Sequence, residues 1–148
     1  MADDFHIYRR KSLPHWRISS AAYFVTWRLE RRQAALSPTE RDMVMDAILH
    51  HRGSRYDLDA YVVMDDHVHV VLTTIPPWTL EQTVQGWKSF TAHELVRAGR
   101  RPPVWQREYL DRIVRDEDEL CQKVTYVARN PFKRWPDLDL YPWVFPTE

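Results

Sequence analysis

Cysteine is almost absent from the 148 residues, which hold only Cys121. The chain therefore has no intrachain disulfide and no thiolate cluster for a metal, as expected of a protein in a reducing cytoplasm. Glycine is also scarce, at three residues. No glycine-rich phosphate loop is present, which argues against nucleoside-triphosphate chemistry. No apolar run approaches the roughly 20 residues needed to cross a bilayer. Asp3 and Asp4 stand where a signal peptide would carry basic residues, so no membrane partner is expected. Net charge is absent too, with 21 Lys and Arg against 21 Asp and Glu. That balance disfavours bulk, non-specific binding of nucleic acid.

The remaining composition, 44% hydrophobic and 28% charged, is that of an ordered globular chain. Its length suits one domain over residues 1–148. Cations are unevenly spread. Arg9, Arg10, Lys11 and Arg17 crowd the first 20 residues beside Tyr8 and Trp16. This arm, broken by Pro14, either grips a nucleic-acid backbone and stacks on bases or packs as a tail on the domain. Further cations gather at Arg97, Arg100 and Arg101, and again at Arg129, Lys133 and Arg134.

Tyr61 to Leu72 (YVVMDDHVHVVL) reads as a hairpin with its turn at Asp65-Asp66. Side chains alternate along a strand, so Val68, Val70 and Leu72 share one face while His67, His69 and Val71 share the other. Two imidazoles roughly 6–7 Å apart along a strand can converge on one divalent cation. His-Val-His alone is equally the pattern of a half-exposed sheet face.

Around this hairpin, Ala21–Leu29 predicts a first strand, rich in aromatic and β-branched residues. Ser37-Pro38-Thr39-Glu40 is a capping box that starts a helix ending near Gly53. Thr79 caps a second helix that ends near Gly99, with Trp87 in the core. Trp105–Val114 predicts a fourth strand. Asp116 caps a third helix that is expected to stop at Asn130-Pro131. Residues 132–148, rich in proline and aromatics, are expected to wrap over the body without regular structure. The first six elements read β-α-β-β-α-β, an α+β, ferredoxin-like antiparallel sheet with two helices on one face. The third helix must then cover the other face, over His67 and His69. On that helix Leu120, Val124 and Val127 form the apolar stripe. Tyr126 lies off it, among Gln122, Lys123, Arg129 and Asn130. Its hydroxyl is either a nucleophile awaiting activation or an ordinary surface group.

Taken together, these motifs resemble the REP-associated tyrosine transposases, within the single-tyrosine HUH transposases and nucleases. The resemblance rests on Tyr23-Phe24-Val25-Thr26, on Tyr61 to Met64 before His67-Val68-His69, and on Trp105-Gln106 through Tyr109-Leu110-Asp111-Arg112. It continues through Arg115-Asp116-Glu117, Tyr126 to Asn130-Pro131, and Tyr141-Pro142-Trp143. That family commonly has Pro-Asn ahead of the first histidine, whereas this chain has Asp65-Asp66. The resemblance implies a metal-dependent endonuclease and strand transferase acting on single-stranded or hairpin DNA, as monomer or homodimer, through a 5′-phosphotyrosine intermediate. It implies Tyr126 as nucleophile, His67 and His69 as ligands of Mg²⁺ or Mn²⁺, and Asn130 as the third ligand. Arg9, Arg10, Lys11, Arg17, Arg112, Arg129 and Lys133 are the candidate DNA contacts. The rival reading is a non-catalytic module of the same fold that binds structured nucleic acid. Such a sheet stacks bases on exposed aromatics, whereas this one presents histidines. A small-molecule metallohydrolase would be expected to show a more carboxylate-rich ligand set.

Overall fold

The computed structural model describes residues 21–147; the arm with Arg9, Arg10, Lys11 and Arg17 lies outside them. The element order is β1 (Ala22–Arg28), α1 (Pro38–His50), β2 (Tyr56–Val63), β3 (His67–Thr74), α2 (Leu80–Arg97), β4 (Leu110–Val114), α3 (Glu117–Arg134) and β5 (Val144–Phe145). The sheet order is β4-β1-β3-β2-β5, with every pairing antiparallel. The first four positions are the expected ferredoxin-like arrangement.

The hairpin forms around Asp65-Asp66, closed by Met64 N–H donating to the His67 carbonyl at 2.8 Å. Alternation along β3 then divides the molecule into two cores. Val68, Val70 and Leu72 pack with Val25 and Trp27 against Val44 and Ile48 of α1 and Val84, Trp87 and Leu95 of α2. Val71 packs with Ala22 and Val62 against Leu120, Val124 and Val127 of α3. The helix starts follow the sequence. Ser37 and Glu40 exchange the two capping-box bonds, and Thr79 and Gln82 do the same. Gly99, at φ +121°, ends α2 in a Schellman arrangement. Arg100 N–H reaches the Leu95 carbonyl and Gly99 N–H the Val96 carbonyl, each at 3.0 Å.

Three expectations need correction. The fourth strand begins at Leu110, not Trp105. Trp105 makes an isolated bridge to Leu29, and the next two carbonyls, of Gln106 and Arg107, accept from the buried Lys88 ammonium at 2.9 Å. They are turned to that cation instead of joining a ladder. The third helix does not stop at Asn130-Pro131 but continues to Arg134. A helical proline costs about 3 kcal/mol. Here Pro131 is buried and Phe132 and Trp135 pack on the second core, where each buried apolar side chain returns roughly 1.5–3 kcal/mol. The tail is not wholly irregular either. Val144 and Phe145 add a fifth strand to β2, and the buried Tyr141 hydroxyl donates to the Val63 carbonyl at 2.6 Å.

Arg100 ties the two sheet-covering helices together. Its guanidinium meets both Glu40 oxygens at 2.7 Å and also donates to the Ala34 and Ala35 carbonyls. That hydrogen bond holds the Glu40 carboxyl below its ordinary 4.5. Replacing Arg100 by Ala strands a largely buried carboxylate, and urea unfolding at pH 7 is expected to show a loss of about 3 kcal/mol. The ion pair's contribution is complete above pH 4.5 and vanishes as pH falls through the lower folded-state value. The gap between the two proteins should therefore narrow in acid to the share carried by the Ala34 and Ala35 carbonyls; a difference independent of pH would contradict this account.

Candidate active site

The histidine-bearing part of the sheet face under α3 is built from β3 and β1, beside Ala60 and Val62 of β2. His67 and His69 are 8% and 4% exposed, and their rings meet edge to face at 4.6 Å between centroids. Antiparallel register sets Thr26 opposite His69 and Arg28 opposite His67. Each imidazole is held through Nδ1. Thr26 Oγ1 lies 2.7 Å from His69 Nδ1, and Asp66 Oδ1 lies 2.6 Å from His67 Nδ1. A carboxylate only accepts, so His67 Nδ1 carries the proton and its Nε2 lone pair remains for a ligand. The Thr26 hydroxyl can accept as well as donate, and the tautomer in which His69 Nδ1–H donates to it puts Nε2 of His69 in the same state. Partners at the far nitrogen that fix tautomer and ring orientation are the usual support of a metal-binding histidine.

Burial dominates the electrostatics. It pushes His69 down to about 3, assisted by the charges of His67 and Arg28 and opposed by Asp66. It lowers His67 as well, against the opposing hydrogen bond and charge of Asp66. Burial also pushes Asp66 up, but His67, Arg134 and Arg28 outweigh it and hold the carboxyl below its ordinary value. Both imidazoles are therefore neutral at pH 7, the form that ligates metals.

Tyr126 comes from α3 and is 48% exposed. Its ring centroid is 5.4 Å from His69 and 5.9 Å from Phe24. Phe24 stacks on His69 at 5.3 Å, and the Lys123 ammonium lies 5.0 Å from the Phe24 ring centroid. Asn130 is one helical turn beyond Tyr126 on the same stripe. One turn further again, Arg134 meets the Asp65 and Asp66 carboxylates at 3.2 and 3.6 Å. Asn130 lies between Tyr126 and Arg134 along α3. It lines a groove of about 390 Å³ with Gln122, Thr125, Tyr126, Arg129 and Lys133.

The structure thus brings His67, His69 and Tyr126 together; Asn130 shares with Tyr126, Arg129 and Lys133 a groove that neither histidine lines. Arg112 sits on edge strand β4, exposed, opposite Phe24 and 3.8 Å from Glu119. Sequence reasoning missed Thr26, Arg28 and Arg134. Parity along β1 puts Thr26 and Arg28 on one face, but only the pairing with β3 sets them against the histidines. Among the described residues no three His, Cys, Asp or Glu side chains converge as a metal cage. A metal here would rest on the two imidazoles, completed by an amide or by substrate oxygen.

This fold is found in solved transposases. One is a REP-associated tyrosine transposase bound to a REP hairpin, with a TM-score of 0.71, 21% identity, and coverage of 88% of this chain and 79% of that one. Another is a proposed transposase from Deinococcus radiodurans R1, with a TM-score of 0.54, 18% identity, and coverage of 83% and 93%. The chain is also 24% identical over 135 residues to the REP-associated tyrosine transposase of Escherichia coli K12, covering 88% of this chain and 78% of that protein. Residues 17–130 match the model of the "Transposase IS200 like" family, and the chain belongs to that family of transposases. Among the described residues no helix is long and apolar enough to cross a membrane.

The neutral histidines give a direct expectation. Each has a folded-state value below 6.5, so their contribution to stability is complete above pH 6.5 and declines as pH falls, for His69 down to about 3. In an NMR titration of the metal-free protein, His69 ring protons should not shift between pH 8 and 5. A midpoint near 6.5 would show that burial does not control this ring.

Proposed function

We propose that this protein is a metal-dependent single-stranded DNA endonuclease and strand transferase, acting at hairpin or repetitive extragenic DNA through Tyr126. The observation that carries this reading is the tyrosine ring 5.4 Å from His69, over two neutral imidazoles each braced at Nδ1. The Tyr126 hydroxyl attacks the scissile phosphorus and its proton passes to solvent, which reaches this half-exposed side chain. The bond from phosphorus to the 3′ oxygen breaks, a 5′-phosphotyrosine remains, and the 3′ oxygen leaves as a hydroxyl by taking up a proton. The phosphotyrosine keeps the phosphodiester's energy for rejoining.

His67 and His69 would hold Mg²⁺ or Mn²⁺, with the Asn130 amide as third ligand. When bound, the ion polarises a phosphate oxygen and stabilises charge on the leaving oxygen. Imidazole ligands favour Mn²⁺. Arg28, Arg112, Lys123, Arg129 and Lys133 flank this face and bind the phosphate backbone, with Arg9, Arg10, Lys11 and Arg17 as the arm's contribution. The protein works in the cytoplasm, as a monomer or homodimer. A second reading, a binding module that does not cut, draws on the want of a three-residue cage of acidic, His or Cys ligands among the described residues.

A covalent-trapping assay separates the two readings. The protein is incubated with labelled hairpin and single-stranded DNAs, with Mn²⁺ or with chelator. The expected outcome is a protein–DNA adduct that needs metal, is absent in Tyr126→Phe, and falls roughly a hundredfold or more in His67→Ala. DNA retention without an adduct under any metal supports the binding module.

A further inference from the structure

The side chains that support His67 do not end at Asp66. Asp66 Oδ1 lies 2.6 Å from His67 Nδ1, and Arg134 Nη1 lies 3.6 Å from that same oxygen. Arg134 Nη2 donates to Asp65 at 3.2 Å. The guanidinium in turn packs over the Trp135 ring, 5.1 Å from its centroid. The turn that carries both acids is held from the other side, since Leu29 N–H and Leu36 N–H donate to the Asp66 and Asp65 carbonyls at 2.9 and 2.7 Å. With the turn backbone fixed, the remaining freedom is the torsion of the acidic side chains, and Arg134 restrains it. Arg134 reaches them only because α3 continues past Pro131. It sits two turns, about 12 Å, beyond Tyr126 on the same helix.

We propose that Arg134 and Asp66 are positioning residues that couple the seating of the tyrosine helix to the geometry of the first histidine. The guanidinium orients the Asp66 carboxylate, and the carboxylate holds His67 with its proton on Nδ1 and its Nε2 turned to the ligand position. When α3 is seated, the nucleophile and a correctly presented His67 are in place together. When α3 lifts, the carboxylate loses its orienting cation and the imidazole is freed to change tautomer. The coupling concerns ring orientation and proton position in one protonation state.

This inference rests on the metal-binding reading above, and the test keeps the two apart. Mn²⁺ affinity is measured by electron paramagnetic resonance on the full chain for the wild type, His67→Ala, Asp66→Ala, Arg134→Ala and the Asp66→Ala/Arg134→Ala double variant. The His67 tautomer is read in parallel from ring-nitrogen NMR shifts of the metal-free proteins. Asp66→Ala is expected to weaken Mn²⁺ about ten- to a hundredfold and Arg134→Ala about three- to tenfold. The double variant should match Asp66→Ala, because both losses act through one carboxylate. Arg134→Ala should also mix the two tautomers of His67, and Arg134→Lys should restore part of both signals. An Arg134→Ala affinity within twofold of wild type, an effect that adds fully to that of Asp66→Ala, or an unchanged tautomer would each overturn the coupling. If the wild type binds no Mn²⁺, or His67→Ala binds it equally well, the metal reading fails, while the tautomer measurement still decides the coupling.

Discussion

The period-two alternation of β3 is the constraint on which the rest of this structure depends. Val68, Val70 and Leu72 are drawn into the core under α1 and α2. The same geometry then commits His67, His69 and Val71 to the opposite face. Val71, together with Ala22, Ala60 and Val62, calls for an apolar cover, and the stripe on α3 supplies it. Covering the valine buries the histidines as well. A one-residue slip in register would exchange the two faces and destroy both core and site, so fold and site are specified by one pattern.

Burial then decides the chemistry. An exposed pair of histidines would titrate near neutrality; here desolvation keeps both rings uncharged, and the positive charge of Arg28 reinforces that. Among the described residues the acid in hydrogen-bond contact with the pair, Asp66, sits at a far nitrogen and braces the ring. Around the neutral centre the charged side chains are mostly cations, Arg28 and Lys123 near the rings and Arg129 and Lys133 along the groove. A phosphodiester is the kind of substrate such a surface attracts, and a zero net charge for the whole chain conceals that local bias.

The tail and the end of α3 show where local rules yield to packing. Pro131 reads as a helix stop because it lacks an N–H and crowds the preceding turn. The helix passes through it because Pro131, Phe132 and Trp135 have a core to enter, and Trp135 N–H bonds to the Pro131 carbonyl at 2.8 Å. The consequence reaches the site, since Arg134 meets Asp65 and Asp66 only from that extra turn. β5 is a similar case. Val144-Phe145 carries little strand signal alone and becomes a strand because the edge of β2 offers unpaired backbone groups.

The sequence by itself determined what is periodic or local. Three helix caps, the Asp65-Asp66 turn, the alternation that sets His67 and His69 together, and the place of Tyr126 off the apolar stripe of its helix all follow from spacing of a few residues. Only the tertiary structure decided what depends on register and on contact between distant segments. Thr26 faces His69 because β1 pairs with β3 forty-three residues away, and Lys88 shortens β4 by holding carbonyls that no nearby residue in sequence could reach. The depth at which two imidazoles lose their charge is likewise set by what α3 lays over them. A sequence states which face a side chain takes; the partners on that face, and the water excluded from it, are fixed only when the layers close.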